Sequence, residues 1–264
     1  MKKRDEPLGA RTFYRDARWY DHTNRRYRDD IDFYVRLARR AGGPVLELGV
    51  GTGRVALAMA EAGARVVGVD REPEMLARAA ERLAKRSREV RRRVELREGD
   101  MRELRLGRRF PLVIAPFNAF QHLYEDDDVE RALATCRRHL APGGKLAFDV
   151  LMPDVRALSR DPSRFYKCRP VVHPRDGRRY AYAEAFAYDH ARQIQTVTIR
   201  FTDLEDPEVV FFSRLTQRQF FPRELAALLR YNGFEILSLD GGFAGEPIDE
   251  DTQSLVVVAR PRRN

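Results

Sequence analysis

The sequence predicts an α/β fold: a seven-stranded, mostly parallel sheet with helices on both faces, plus an antiparallel β-sheet inserted after the fifth strand. Three observations carry that prediction. Apolar strand-like runs alternate with helical stretches from Pro44 to Val150, the order that builds a parallel sheet. The alternation breaks after Pro153, and residues 165–220 read instead as period-two strands. A helix and two more strands then follow, ending near Arg260.

Residues 1–43 form an aromatic and basic N-terminal arm or lid, helical from Asp29 to Ala41 with Ile31, Tyr34, Val35 and Ala38 on one face. Strands are expected near 44–50, 65–70, 94–100, 110–117 and 144–151, with helices near 53–63, 73–87 and 126–140. Pro73 suits the first turn of its helix, where its missing N–H costs nothing. Val129, Ala132, Leu133, Cys136 and Leu140 form an apolar stripe, so Cys136 reads as core. Pro142-Gly143-Gly144 reads as the turn into the fifth strand.

In the inserted segment, Tyr180, Tyr182, Glu184, Phe186 and Tyr188 alternate with alanines. A hairpin turn at Asp189–Arg192 leads to Gln195, Val197, Ile199 and Phe201, and Val209–Thr216 returns. Phe221-Pro222 opens a helix carrying Leu225, Leu228 and Leu229, closed by Asn232-Gly233. Strands follow at Phe234–Leu239 and Leu255–Ala259. The expected organisation is an arm over 1–43, a main domain over 44–152 and 221–264, and an inserted sheet over 153–220 that serves as substrate lid or dimer surface.

The most informative stretch is Pro44–Asp70, PVLELGVGTGRVALAMAEAGARVVGVD. Val45, Leu46 and Leu48 form a buried strand, and Gly49, Gly51 and Gly53 form a turn that lets a ligand approach the backbone. Val55, Ala58, Met59 and Ala62 give the next helix one apolar face. Val66, Val67 and Val69 lead to Asp70, an acid placed to hold the hydroxyls of a ribose. The dinucleotide fingerprint is G-x-G-x-x-G, whereas this turn is G-x-G-x-G with Glu47 two residues before it. A carboxylate there repels a pyrophosphate and suits a cofactor with a cationic amino group.

The run E-L-G-x-G-T-G-R followed by a strand ending in Asp resembles the first two motifs of class I S-adenosylmethionine (SAM) dependent methyltransferases, which have a Rossmann-like fold. Gly99-Asp100-Met101, the strand FPLVIAPF at Phe110–Phe117 and LAPGGKLAFDV at Leu140–Val150 extend the resemblance in order. An antiparallel insertion after the fifth strand, with GDMREL at Gly99–Leu104 and HLAPGG at His139–Gly144, resembles the sugar N,N-dimethyltransferases and glycine N-methyltransferase-like enzymes.

That resemblance implies a residue-by-residue assignment. Glu47, Gly49 and Gly51 would lie along the methionine part of the cofactor, and Asp70 would accept from the ribose. Asp100 and Met101 would meet the adenine amine and ring, and Phe117 would lie near the sulfonium. Arg18-Trp-Tyr-Asp-His22 looks like the segment that closes over SAM, with Tyr20 as lid or, alternatively, as a tyrosine packed under a helix. His122 follows the fourth strand at its carboxyl end, where open α/β sheets bind ligands, and is the candidate general base or a structural histidine. Ala-Pro-Phe-Asn at 115–118 departs from the N-P-P-Y type of nucleobase methyltransferases. Tyr180, Tyr182 and Tyr188 form either a substrate wall or a packed sheet face. His139 reads as structural.

The implied reaction is transfer of a methyl group from SAM to a nitrogen or oxygen of a small-molecule acceptor, releasing S-adenosylhomocysteine. The alternatives are an RNA or protein methyltransferase, or a SAM-binding protein without transferase activity. A net charge of +9 raises nucleic acid as a partner. Forty-four of the 49 basic residues are arginines spread along the chain, and the densest run, Lys85–Arg93, is expected on a solvated face at the amino edge of the sheet. The expected partner is therefore the small-molecule methyl acceptor and not nucleic acid, with the inserted sheet offering one possible surface for a homodimer. No metal-ligand spacing occurs, no apolar run approaches a membrane span, and no apolar segment follows the basic residues at the N-terminus. A cytoplasmic location is expected.

Overall fold

The computed structural model describes residues 12–25 and 27–262. Residues 1–11, Arg26 and residues 263–264 lie outside the described residues, and with them the first part of the expected N-terminal arm. In chain order the elements begin with a 3-10 turn (Thr12–Arg15), α1 (Ala17–Asn24), α2 (Asp29–Ala41), β1 (Val45–Leu48), α3 (Arg54–Glu61) and β2 (Val66–Asp70). Next come α4 (Pro73–Ala84), α5 (Arg88–Arg93), β3 (Val94–Glu98), β4 (Phe110–Ala115), a 3-10 turn (Ala119–His122), α6 (Asp126–His139) and β5 (Leu140–Leu151). The insertion contains α7 (Val155–Leu158), β6 (Tyr166–Lys167), β7 (Val171–Val172), β8 (Arg179–Asp189), β9 (Ile194–Asp203) and β10 (Val210–Arg218). The chain closes with α8 (Pro222–Tyr231), β11 (Phe234–Asp240) and β12 (Ser254–Pro261).

The described residues form two compact units, one built from 12–25 with 153–219 and the other from 27–152 with 220–262. The larger unit holds the seven-stranded sheet, ordered β11-β12-β5-β4-β1-β2-β3, in which only β12 runs against its neighbours. Alternate residues of each strand feed opposite faces, as a pleated strand requires. Leu46, Leu48, Val113 and Ala115 pack with Leu133 and Cys136 of α6 and Leu225 and Leu229 of α8. Val45, Leu112 and Ile114 pack on the other face with Tyr34 and Ala38 of α2 and Val55 and Met59 of α3. Each fully buried side chain of this size contributes roughly 1.5–3 kcal/mol, so both helical layers are held by their apolar stripes.

One local feature went unread and one expectation needed correction. Within the Lys85–Arg93 run, which is largely exposed as expected of a solvated face, Ser87 accepts from the Val90 N–H and starts the short helix α5. Pro142-Gly143-Gly144 lies inside β5, as a register shift against β4 between the Phe110↔Leu140 and Leu112↔Lys145 pairs. Cys136 is buried in the core as expected, and burial pushes its thiol up to about 12. His139 is structural too: its Nδ1 lies 2.9 Å from the Thr135 carbonyl and its Nε2 accepts from the Leu106 N–H at 3.1 Å.

In the smaller unit β10-β9-β8-β6 form an antiparallel sheet, and β7 also pairs with β8. Its core is aromatic, with Phe13, Trp19, Tyr180, Ile199 and Phe201 packed together. Tyr180 is therefore a core residue of this sheet. Thr12 accepts from the Arg214 N–H at 2.8 Å and caps part of the β10 edge, which would otherwise invite strand pairing.

Candidate functional site at the carboxyl ends of the central strands

β1 and β4 are neighbours, with β2 and β3 on one side and β5 on the other, so the chain order reverses between them. Ligands of open α/β sheets bind in the crevice at such a point. Two turns form its walls, one after β1 and one after β4.

The turn after β1 is made by glycines with left-handed backbone, φ +71° at Gly49 and +55° at Gly51. A Cβ on Gly49 would lie 2.9 Å from the Ala119 Cβ and 3.7 Å from the Met101 Cε, so this glycine lets three segments converge. Asp70 pins the turn from β2. One carboxylate oxygen accepts the Gly51 N–H at 2.7 Å and the other accepts the Glu72 N–H at 3.0 Å. Burial raises the Asp70 pKa, and those backbone donors oppose the rise.

Glu47 occupies the middle of β1 and is 2% exposed. Its Oε2 is buried without a hydrogen-bond partner. Burial raises its pKa well above the usual carboxylate range; Arg54 opposes that, and Asp30 and Asp70 add to it. Arg54 cannot neutralise it fully, because its guanidinium is forked onto the buried Asp30 at 2.6 and 2.5 Å. The same guanidinium stands 4.7 Å from the Phe117 ring centroid and 5.4 Å from that of Tyr27. Cation–π contacts of this kind fix both rings beside the turn.

The turn after β4 has two consecutive non-glycine residues in the left-handed region, Phe117 at φ +56° and Asn118 at φ +65°. Asp149 of β5 holds them there. Its Oδ1 accepts from the Tyr34 hydroxyl at 2.6 Å and from the Phe117 N–H at 2.9 Å, and its Oδ2 accepts from the Asn118 N–H at 3.3 Å. Burial, reinforced by Asp30, pushes Asp149 up to about 6. The Asn118 Oδ1 is buried with no partner.

The structure thus gathers Glu47, Gly49, Gly51, Asp70, Met101 and Phe117 around one crevice. Asp100 follows β3, but its carboxylate is engaged by the Arg102 guanidinium, which also reaches Asp128 at 2.9 Å. Burial alone would raise the Asp100 pKa; the Arg102 fork outweighs it and holds the group below the usual range. His122 ends the 3-10 turn, half-buried, with its ring edge-on to Tyr124 at 6.5 Å. Tyr20 belongs to the smaller unit, where its ring packs against Phe13 and Tyr14 at 6.0 and 5.9 Å.

Sequence reasoning missed Tyr27, Asp30, Tyr34, Arg54 and Asp149. Only Asp149 left a signal, as a charge inside the apolar run LAFDV. Among the described residues no cluster of His, Cys, Asp and Glu is suited to a metal ion, and no helix is long and apolar enough to cross a membrane.

The donor set fits SAM. A buried, unpartnered carboxylate beside two further acids favours a ligand with positive charge, and the glycine turn leaves no Cβ to obstruct it. A pyrophosphate would meet the same acids at a prohibitive electrostatic cost.

Residues 45–144 match the family model described as a methyltransferase domain. The cypemycin N-terminal methyltransferase of a Streptomyces species is 32% identical over 221 residues, covering 82% of each chain. The dTDP-3-amino-3,4,6-trideoxy-alpha-D-glucopyranose N,N-dimethyltransferase of Streptomyces venezuelae is 30% identical over 44% of this chain and 45% of that enzyme. Among solved structures, the glycopeptide N-methyltransferase MtfA complexed with SAM superposes with a TM-score of 0.61 at 26% identity, covering 87% of each chain. With the seven-stranded sheet and the acid-lined glycine turn, these similarities establish that the chain belongs to the class I SAM-dependent methyltransferases.

Proposed function

We propose that the chain methylates a nitrogen of a small-molecule amine. The observation that carries the cofactor half of this reading is the buried, unpartnered Glu47 carboxylate at the glycine turn. Nitrogen is favoured over oxygen because two of the relatives named above are N-methyltransferases and the third is named for an N-terminus. When bound, SAM would supply an electrophilic methyl group carried on its sulfonium sulfur, which leaves as the thioether of S-adenosylhomocysteine.

The residues divide the remaining work. Glu47 attracts the cofactor's ammonium, and Gly49 and Gly51 give its methionine part access to the backbone. Asp70 has lone pairs left for the ribose hydroxyls after accepting two backbone N–H groups. Met101 covers the adenine ring. Asp100 offers the adenine amine an oxygen it must share with Arg102. Phe117 lines the reacting region, held by Arg54 and Asp149. His122 takes a proton from an ammonium acceptor, which must lose one before its lone pair can attack. Tyr20 acts as lid, and the inserted sheet over 153–220 as substrate cover or dimer surface. The protein works in the cytoplasm without nucleic acid.

A second reading has specific support: the 32%-identical relative is named for an N-terminal acceptor, so the amine of this chain's substrate could belong to a peptide terminus. The test is a panel of amino sugars, small amines, phenols and short peptides with isotopically labelled SAM. Label on a small amine is expected. Label on phenols alone would overturn the nitrogen assignment, and label on peptides alone would replace the small molecule with a peptide terminus.

A further inference from the structure

A cavity of about 880 Å³ opens on the opposite edge of the large sheet from the glycine turn, at the amino ends of β4 and β5. Four arginines from separate places in the chain line it: Arg109 before β4, Arg137 in the last turn of α6, Arg260 on β12 and Arg262 just after it. The one acid in the lining, Glu235, is forked onto Arg260 at 2.8 and 3.0 Å. Arg137 donates to the Asn232 carbonyl at 3.3 Å, which leaves its charge uncompensated. No carboxylate pairs with Arg109, Arg137 or Arg262 among the described residues.

Three guanidiniums without counter-charges therefore face one concave space. Like charges converging in a cleft repel each other and focus a positive potential into it, and a multivalent anion relieves both. Guanidiniums match phosphate oxygens through paired N–H donors, a geometry that lysines do not offer. The volume falls within the few hundred to about 1,000 Å³ of small-ligand sites, which suits a compact anion more than an extended strand. Gly143, with φ +75° and nothing within 4 Å of where a Cβ would stand, leaves the rim open beside them.

We propose that this cavity binds a small oligophosphate, a ligand carrying two or more phosphate groups, at a site separate from the methyl-transfer crevice. Inorganic oligophosphate and a nucleotide both present such groups; the recognition is the same, and the experiment separates them. Nothing in the proposal depends on the acceptor assignment.

The experiment is calorimetric titration of the full chain, saturated with S-adenosylhomocysteine, with inorganic triphosphate, ATP and a short single-stranded RNA. Triphosphate is expected to bind at low ionic strength, weakening as salt rises. Equal binding of ATP would identify phosphates alone as the ligand, and tighter ATP binding would add the nucleoside. The Arg109→Ala/Arg262→Ala double variant removes two charge-assisted contacts and should weaken triphosphate about tenfold or more. Both side chains are exposed, so the fold should persist, and unchanged S-adenosylhomocysteine affinity checks that it does. No triphosphate binding at low salt, or equal binding by the double variant, overturns the proposal. RNA binding that strengthens with strand length while triphosphate stays weak also overturns it, in favour of a polynucleotide surface.

Discussion

Replacing Asp149 by asparagine should separate stability from activity. The Asp149→Asn substitution is nearly isosteric, and the new side chain can still offer its carbonyl oxygen to the Tyr34 hydroxyl and the Phe117 N–H, the two donors now on Oδ1. Its amide nitrogen then faces the Asn118 N–H, so one backbone hydrogen bond is lost, costing about 1–3 kcal/mol. Against that, the carboxylate is itself expensive in the native state. Its pKa stands at about 6 where 3.8 is ordinary, and the difference corresponds to about 3 kcal/mol carried by the ionised form at neutral pH. The two effects nearly cancel, so the melting temperature should stay within about 5 °C of the parent or rise. Activity should not be spared. Left-handed non-glycine residues cost about 1–3 kcal/mol each, and without its anchor the Phe117-Asn118 turn relaxes. A displacement near 1 Å at a reacting centre costs about a hundredfold in rate, so kcat should fall about ten- to a hundredfold. The pH dependence provides a further check. A raised acid makes the folded state hold its proton longer, so the parent gains stability as pH falls from about 6 towards 3.8, and the variant should lack that gain. Thermal unfolding across that range, paired with single-turnover methyl transfer, tests all three. A melting temperature lowered by about 10 °C or more would make Asp149 a structural residue, and an unchanged kcat would detach the turn from the chemistry.

Asp70→Ala should weaken S-adenosylhomocysteine binding by about one to two orders of magnitude, since it strips the turn of its anchor and, on the proposed assignment, the ribose of its acceptor; unchanged calorimetric affinity would refute that assignment. His122→Ala should lower kcat with little change in cofactor affinity if the imidazole serves as base, whereas equal losses would make it structural. Glu47→Gln should raise the melting temperature of the free protein, because it removes a buried carboxylate with no bonded cation, while weakening S-adenosylhomocysteine. Because Glu47 has a raised pKa before binding and would pair with an ammonium afterwards, parent affinity should rise with pH until the carboxylate is ionised, with proton release measurable in buffers of different ionisation enthalpy.

The fold was legible because its signals are local. Alternation of apolar runs set the order of strands and helices, and the stripe through Val129, Leu133 and Cys136 chose the face of α6 that now lies in the core. The glycines and Asp70 were legible for the same reason, since a strand, a turn and a terminal acid lie within 26 residues of each other in the run from Val45 to Asp70. Short-range errors occurred where two local codes competed. Pro142-Gly143-Gly144 has turn chemistry, yet pairing with β4 absorbs it as a register shift. Ser87 and Glu89 begin a short helix inside the basic run, a start signal that the density of arginines masked.

What stayed hidden is the charge network, because its members come from distant parts of the chain and meet only in the folded state. Asp30 and Tyr34 lie on α2, Arg54 on α3, Phe117 after β4 and Asp149 on β5. Nothing in the spacing of Asp30 predicts that it will be buried completely and take both arms of Arg54. That pairing changes the meaning of Glu47. With Arg54 free, Glu47 would be half of an ordinary buried ion pair and the crevice would be electrically complete. With Arg54 committed to Asp30 and stacked on Phe117, the crevice holds an acid whose only remedy is a proton or a cation from outside. A core designed for stability alone would not keep such a group, since a buried charge without a partner costs far more than an apolar replacement. On the proposed assignment the cofactor's ammonium provides that cation, so that the cost of burying Glu47 in the free protein becomes part of the affinity for SAM.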